Sequence, residues 1–150
     1  MKIDKCLDTL IVGAGFAGMY ILHKQMSEGF KVEIFEQADD VGGTWYWNKY
    51  PGARCDIESM DYSYSFSEDL QQEWNWKEKY GTQPELLEYA KFVCEKFGLR
   101  KNINFNTKII KSKFSKEKQK WIVTTDKQKV IECEHLILAT GNLSTPNTPK

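Results

Sequence analysis

The sequence predicts an α/β fold built on a parallel sheet, and three features predict it. An apolar run, Leu10-Ile11-Val12, meets the glycine pattern Gly13-Ala14-Gly15-Phe16-Ala17-Gly18. A helical stretch follows from Met19 to Met26 and stops at Gly29. A second β-prone run, Lys31 to Glu36, comes next and ends on an acid. Strand, glycine turn, helix and strand in that order form a βαβ unit, the Rossmann-like arrangement that holds a dinucleotide.

Each part has a physical reason. Leu10, Ile11 and Val12 suit a strand buried on both faces. Gly13 permits the tight turn out of that strand. Gly15 carries no side chain, so a pyrophosphate can approach the backbone. Gly18 lets the helix lie close to the sheet. The free N–H groups at the helix start, with the helix dipole, hold the phosphates. Glu36 lies at about the 20-residue distance where an acid binds a ribose hydroxyl. A glycine turn of purely structural use is the alternative that this pattern alone leaves open.

Composition narrows the class. Lysine plus arginine and aspartate plus glutamate both number 21 in 150 residues, so no bulk charge recruits nucleic acid or an anionic membrane. The length allows one domain, or part of a larger one, with a real core. Cys6, Cys55, Cys94 and Cys133 are scattered without a CxxC pair, and His23 and His135 lie far apart, so no metal site is expected. Lys2, Asp4, Lys5 and Asp8 interrupt the start, which does not resemble a signal peptide. No apolar run is long enough to span a bilayer, and a reducing cytoplasm is the expected compartment.

Past Glu36 the character changes. Gln37 to Met60 has no sustained period and is rich in glycine, aromatics and aspartate. Long ordered loops of this kind are usually functional. Gly42-Gly43 gives a second close backbone approach, and Thr44 offers a hydroxyl. Trp45, Tyr46 and Trp47 must cover something flat or pack into a cleft, or else close over the core. Pro51-Gly52 marks a turn. Arg54 and Asp56 lie two apart, as a surface ion pair or as groups placed at a cofactor.

The remainder continues the α/β pattern. Asp61 to Trp76 reads as polar, aromatic and irregular, with Tyr62, Tyr64 and Phe66 alternating onto one face. A helix opens at Gln83-Pro84-Glu85 with Thr82 as its cap, buries residues such as Leu86, Tyr89, Val93 and Cys94, and ends at Gly98. Ile103 to Phe105 suggests a short strand. Lys108 to Phe114, Trp121 to Thr125 and Lys129 to Cys133 read as a β-meander. Ile137-Leu138-Ala139 reads as a further buried strand leading to Thr140-Gly141. Ser144 to Lys150, with two prolines, reads as a linker.

The chain resembles the N-terminal part of the Baeyer–Villiger monooxygenases, near the cyclohexanone and phenylacetone enzymes. The resemblance rests on the glycine pattern, on Gly42 to Asp56, on Tyr62 to Ser67, on Gln71 to Trp76, on Gln83-Pro84-Glu85 and on Ala139-Thr140-Gly141. It implies a two-dinucleotide-binding flavoprotein fold, tightly bound FAD, and NADPH and O₂ used to insert oxygen beside a ketone carbonyl. It places Thr44, Trp45, Tyr46 and Trp47 on the flavin side, and Asp56 at the flavin and nicotinamide, paired with an arginine outside this sequence. Arg54 and Cys55 would border NADPH, Tyr62 the flavin, and the backbone of Ile109 the adenine. The Ala139-Thr140-Gly141 strand end would return the chain to the cofactor. Lys49 stands where the family has arginine, so a bidentate contact is not expected there.

The family's Phe/Gly/His/Trp/Pro signature, second dinucleotide-binding domain and catalytic arginine are not in these residues. The expectation is therefore a truncated enzyme or a stand-alone remnant: residues 1–143 as the first part of the FAD domain, and 144–150 as a linker towards an absent NADPH domain. Such a stretch is expected to be inactive by itself. Three alternatives stand beside this: a flavin-containing N/S-monooxygenase, a nicotinamide dehydrogenase with one Rossmann unit, and a non-catalytic remnant. Cys55 beside Arg54 is weighed as a nucleophile against a packed role.

Overall fold

A computed structural model describes residues 2–143, 148 and 149. Its strands are β1 (Lys5–Val12), β2 (Val32–Phe35), β3 (Ile103–Asn104), β4 (Ile109–Ser115), β5 (Lys120–Thr125) and β6 (Val130–Leu138). Its helices are α1 (Phe16–Ser27), α2 (Thr44–Trp47), α3 (Ser59–Tyr62), α4 (Glu68–Glu73) and α5 (Gln83–Lys96). One six-stranded sheet runs β3-β2-β1-β6-β5-β4. The β1–β2, β1–β6 and β2–β3 pairs are parallel, and β4 and β5 add antiparallel to β6.

Two clusters bury the faces of the central strands. Ile11, Val32, Ile34 and Ile103 pack on Met19 and Leu22 of α1 and on Ala90 and Cys94 of α5. Leu7, Leu10 and Phe35 pack instead on Val123, Ile131 and Cys133. This second cluster draws on β1, β2, β5 and β6 together. Burial raises the Cys94 and Cys133 thiols to about 11, which keeps both as neutral core groups.

The predicted βαβ unit is present, with α1 beginning three residues earlier than Met19. Other expectations need correction. Lys129–Cys133 and Ile137–Ala139 are not separate strands. β6 runs through Glu134 and His135, pairing β5 with its first half and β1 along its length. Those polar residues mark exposed positions of the strand and not a turn. Leu138, read as buried, is 67% exposed because it ends the strand at the lip of a cleft. The stretch 61–76 is not wholly irregular: Ser67 Oγ accepts from Leu70 N–H at 3.2 Å and starts α4, with Glu68 and Asp69 in its first turn. Thr82 holds the cap position of α5 but makes no side-chain cap bond. The linker expectation falls largely outside the described residues.

Aromatic rings join α1 to the loop after α3. Phe16 lies 5.3 Å from both Tyr62 and Tyr64, and Tyr64 Oη donates to the Phe16 carbonyl. Tyr62, Tyr64 and Phe66 therefore do gather on one side, lining a groove along α1. His23 is held between Phe66 at 4.8 Å and Phe97 at 4.6 Å. Burial, assisted by Lys24, lowers its pKa from 6.5. The unfolded chain then takes up a proton that the folded chain refuses, so stability is full above pH 6.5 and falls as the pH drops towards the folded value. Thermal melts should show a lower midpoint at about pH 5.5 than at about pH 7.5, with that difference reduced in His23→Phe.

Candidate functional site: a dinucleotide cleft at the strand ends

The C-terminal ends of β1, β2 and β6 open into a cleft of about 770 Å³. This is near the upper end of the range for ligand sites, roughly 300–1,000 Å³. Its floor is Gly13, Gly15, Phe16 and Ala17. One side is Glu36, Thr107, Lys108 and Ile109; the other is Gly43, Thr44, Trp45, Trp47 and Tyr62. Leu138, Ala139, Thr140 and Gly141 form a further edge.

The floor is built by close backbone contact. At Gly18 an added Cβ would sit 2.0 Å from the Gly13 carbonyl oxygen, so α1 packs directly on the turn. Gly18 itself does not line the cleft, in keeping with a packing role. No side chain caps α1 at Gly15. Among the described residues the N–H groups of Phe16 and Ala17 have no protein acceptor, and both residues face the cleft. Such orphan donors suit an anion.

A second turn is seated on the first. Gly42 N–H donates to the Ala14 carbonyl at 3.1 Å. Gly43, at φ +54°, would bring a Cβ to 2.8 Å from Gly15 Cα. No L side chain fits there. α2 then leads away, presenting Thr44, Trp45 and Trp47 to the cleft.

Glu36 is buried at 6% exposure beside this floor. Its carboxylate accepts from Ala14 N–H at 2.7 Å and from Ala38 N–H at 2.8 Å. It lines the cleft and also braces the glycine turn, a second role that strand position alone does not reveal. The Thr107 N–H donates to the Glu36 carbonyl at 2.9 Å, which sets Thr107 and Ile109 beside it.

Trp45 is buried, and its Nε1–H donates to Tyr62 Oη at 2.9 Å. Burial raises the Tyr62 phenol above its ordinary value, keeping it neutral. Trp47 is 46% exposed on the cleft side. Tyr46 does not join them: its hydroxyl donates to Asp39 at 2.6 Å, and Lys49 Nζ lies 4.6 Å from its ring centre. Three successive residues on a single helical turn cannot all face one way.

The segment 54–56 lies outside the cleft lining. Arg54 pairs with Glu78 and donates to the Tyr80 carbonyl, so the considered Arg54–Asp56 ion pair does not form. Cys55 is buried against Trp45 and Leu86, in a packed position. Asp56 is exposed. The carboxylate that spacing could not reveal, Glu78, comes from a distant loop. Residues missed at the site include Lys108, Thr107 and Leu138, which no motif marks.

A family model described as pyridine nucleotide-disulphide oxidoreductase matches residues 10–150. The chain belongs to this family. Among the oxidoreductases it resembles is phenazine N-monooxygenase PhzNO1 of Lysobacter antibioticus, 44% identical over 91% of this chain and 26% of that protein. A Baeyer–Villiger monooxygenase of Pseudooceanicola batsensis is 42% identical over 95% of this chain and 26% of its own length. The crystal structure of OTEMO in complex with FAD and NADP superposes with a TM-score of 0.91 at 40% identity, over 95% of this chain and 27% of that one. The resemblance read from the motifs therefore holds across nearly all of these residues. The chain spans about a quarter of the length of the curated relatives it matches. Among the described residues no group of His, Cys, Asp and Glu could hold a metal ion, and no helix is long and apolar enough to cross a membrane.

Proposed function

We propose that this chain is the FAD-binding part of an NADPH- and O₂-dependent flavoprotein monooxygenase that oxidises ketones to esters or lactones. The observation that carries the proposal is the Gly42-Gly43 turn seated on the Gly13–Gly18 turn, with the Trp45–Tyr62 wall beyond it. A single glycine turn serves any dinucleotide. The second turn and its aromatic wall extend the cleft to a flat ring system.

Bound flavin supplies hydride acceptance and oxygen activation. The chain's own residues bind and shield it. The N–H groups of Phe16 and Ala17 receive the pyrophosphate, and Glu36 receives the adenosine ribose. The Ile109 backbone meets the adenine. Thr44, Trp45, Trp47 and Tyr62 border the flavin ring and exclude water from it. Ala139, Thr140 and Gly141 close the far edge. Asp56 orients an arginine contributed by the rest of the enzyme, and the segment of Arg54 and Cys55 borders NADPH. The domain organisation is a first part of the FAD domain to residue 143, followed by a linker towards an NADPH domain. By themselves these residues bind a cofactor and do not turn over. The protein is cytoplasmic on this reading, in keeping with four free cysteines. Oxygenation at nitrogen is the second reading, favoured by the similarity to a phenazine N-monooxygenase.

FAD should stabilise the purified chain and NAD should not. At a FAD concentration about 100 times the dissociation constant, mass action adds about 2.7 kcal/mol. For a chain of this size the melting temperature should rise by about 5–10 °C. A rise with NAD and none with FAD would replace the flavoprotein by a nicotinamide dehydrogenase.

A further inference from the structure

One face of α5 lies against a single segment of the cleft wall. Residues 83, 87 and 91 are four apart and share that face. Gln83 donates its side-chain amide to the Trp45 carbonyl. Leu87 lies against Gly42, where an added Cβ would come within 2.6 Å of its Cδ1. Lys91 pairs with Asp40 at 2.9 Å. Arg100, just beyond α5, adds a second cation to Asp40 at 2.8 Å. Burial works against the Asp40 charge, but Arg100, Lys91 and the Val41 N–H together hold its carboxyl below the usual range. The stretch from Asp40 to Trp45 is thus held along its length by one rigid helix.

We propose that Gln83 is a positioning residue for this wall: by bonding the Trp45 carbonyl it sets the Trp45–Tyr62 pair. Gln83 is 8% exposed, and its own backbone N–H donates to the Ala53 carbonyl at 2.9 Å, so its side chain starts from a fixed point. α2 is a four-residue helix whose last carbonyls have few backbone donors. Gln83 meets the one at Trp45. Trp45 then reaches Tyr62 through its indole N–H. Position 83 is therefore one hydrogen bond from Trp45 and two from Tyr62, which both line the cleft, without lining it itself. The consequence for flavin rests on the function proposed above; the consequence for the backbone does not.

The test uses the isotope-labelled intact chain. In the unaltered protein, NMR should show a cross-peak between the Gln83 side-chain amide protons and the backbone protons of Trp45 or Tyr46. In Gln83→Met and Gln83→Glu, hydrogen exchange at Tyr46, Trp47 and Asn48 should quicken about three- to tenfold while α1 is unchanged. The FAD dissociation constant should rise by a similar factor, with altered visible circular dichroism of the bound flavin. Faster loop exchange in a chain that never binds FAD would uphold the role of Gln83 and remove the flavin reading. Absence of the cross-peak overturns the proposal even if neither variant folds, and so does unchanged exchange in folded variants.

Discussion

Gly18→Ala should lower the melting temperature of the ligand-free chain by about 6–12 °C and abolish measurable FAD binding. The new methyl carbon would meet the Gly13 carbonyl oxygen at 2.0 Å and its carbon at 3.2 Å. These are backbone atoms of the turn that also shapes the cleft. They cannot rotate aside as a side-chain end could, so α1 must lift from the sheet. Overpacking in a close-packed core costs about 1–3 kcal/mol even where side chains can give, and a backbone clash belongs at or above that upper figure. The Phe16 and Ala17 N–H groups move with the helix, so the loss reaches the ligand as well.

Gly15→Ala provides the contrast. Its Cβ would lie 3.6 Å from Gly43 Cα, an ordinary contact, and φ at Gly15 is −78°, which alanine adopts freely. The ligand-free melting temperature should hardly change while FAD affinity falls. Circular dichroism melts and FAD titrations of the two variants check the division. Equal behaviour of both would refute the separate packing and binding roles.

Glu36→Ala should raise the FAD dissociation constant by about 10- to 100-fold and destabilise the ligand-free chain. The affinity figure corresponds to a hydrogen bond to a charged group, about 1.5–3 kcal/mol. The stability loss has a separate origin. Both carboxylate oxygens are occupied by the Ala14 and Ala38 N–H groups, and removing them strands two donors in a buried place. Each stranded donor costs about 1–3 kcal/mol unless water reaches it. A variant that lost FAD affinity but melted like the parent would leave the ribose role and remove the brace.

The βαβ unit was legible because its instructions are local: an apolar run, glycines at fixed offsets, and an acid at the strand end. α5 was legible for the same reason, through Pro84 and the spacing of Leu86, Tyr89, Val93 and Cys94. Long-range pairing was not. The partner of Arg54 is Glu78, on a loop that no periodicity connects to it. Tyr46 looked equivalent to Trp45 and Trp47, and only the helical turn of α2 separated them. Glu36 was placed by its distance from the glycines, yet its bond to Ala14 depends on how closely β2 lies against the turn. The continuity of β6 was hidden because Glu134 and His135 separate its two apolar runs, yet both are exposed, and as adjacent residues they point to opposite faces of a strand that is open on both sides there.

The pairing of β1 with β6 governs how the chain can acquire its fold. Lys5 lies opposite Ile131 and Val12 opposite Leu138, so β1 waits for a partner strand more than 100 residues further along the chain. While the chain emerges during synthesis, β1 can be joined by β2 but has an open edge on its other side. That edge presents unpaired backbone N–H and C=O groups, open to pairing with another chain, on a strand whose Leu7, Leu10 and Ile11 belong to the core. Closure of so long a loop comes late and slows folding. The cleft, lined by both Gly13 and Ala139, is completed together with the sheet.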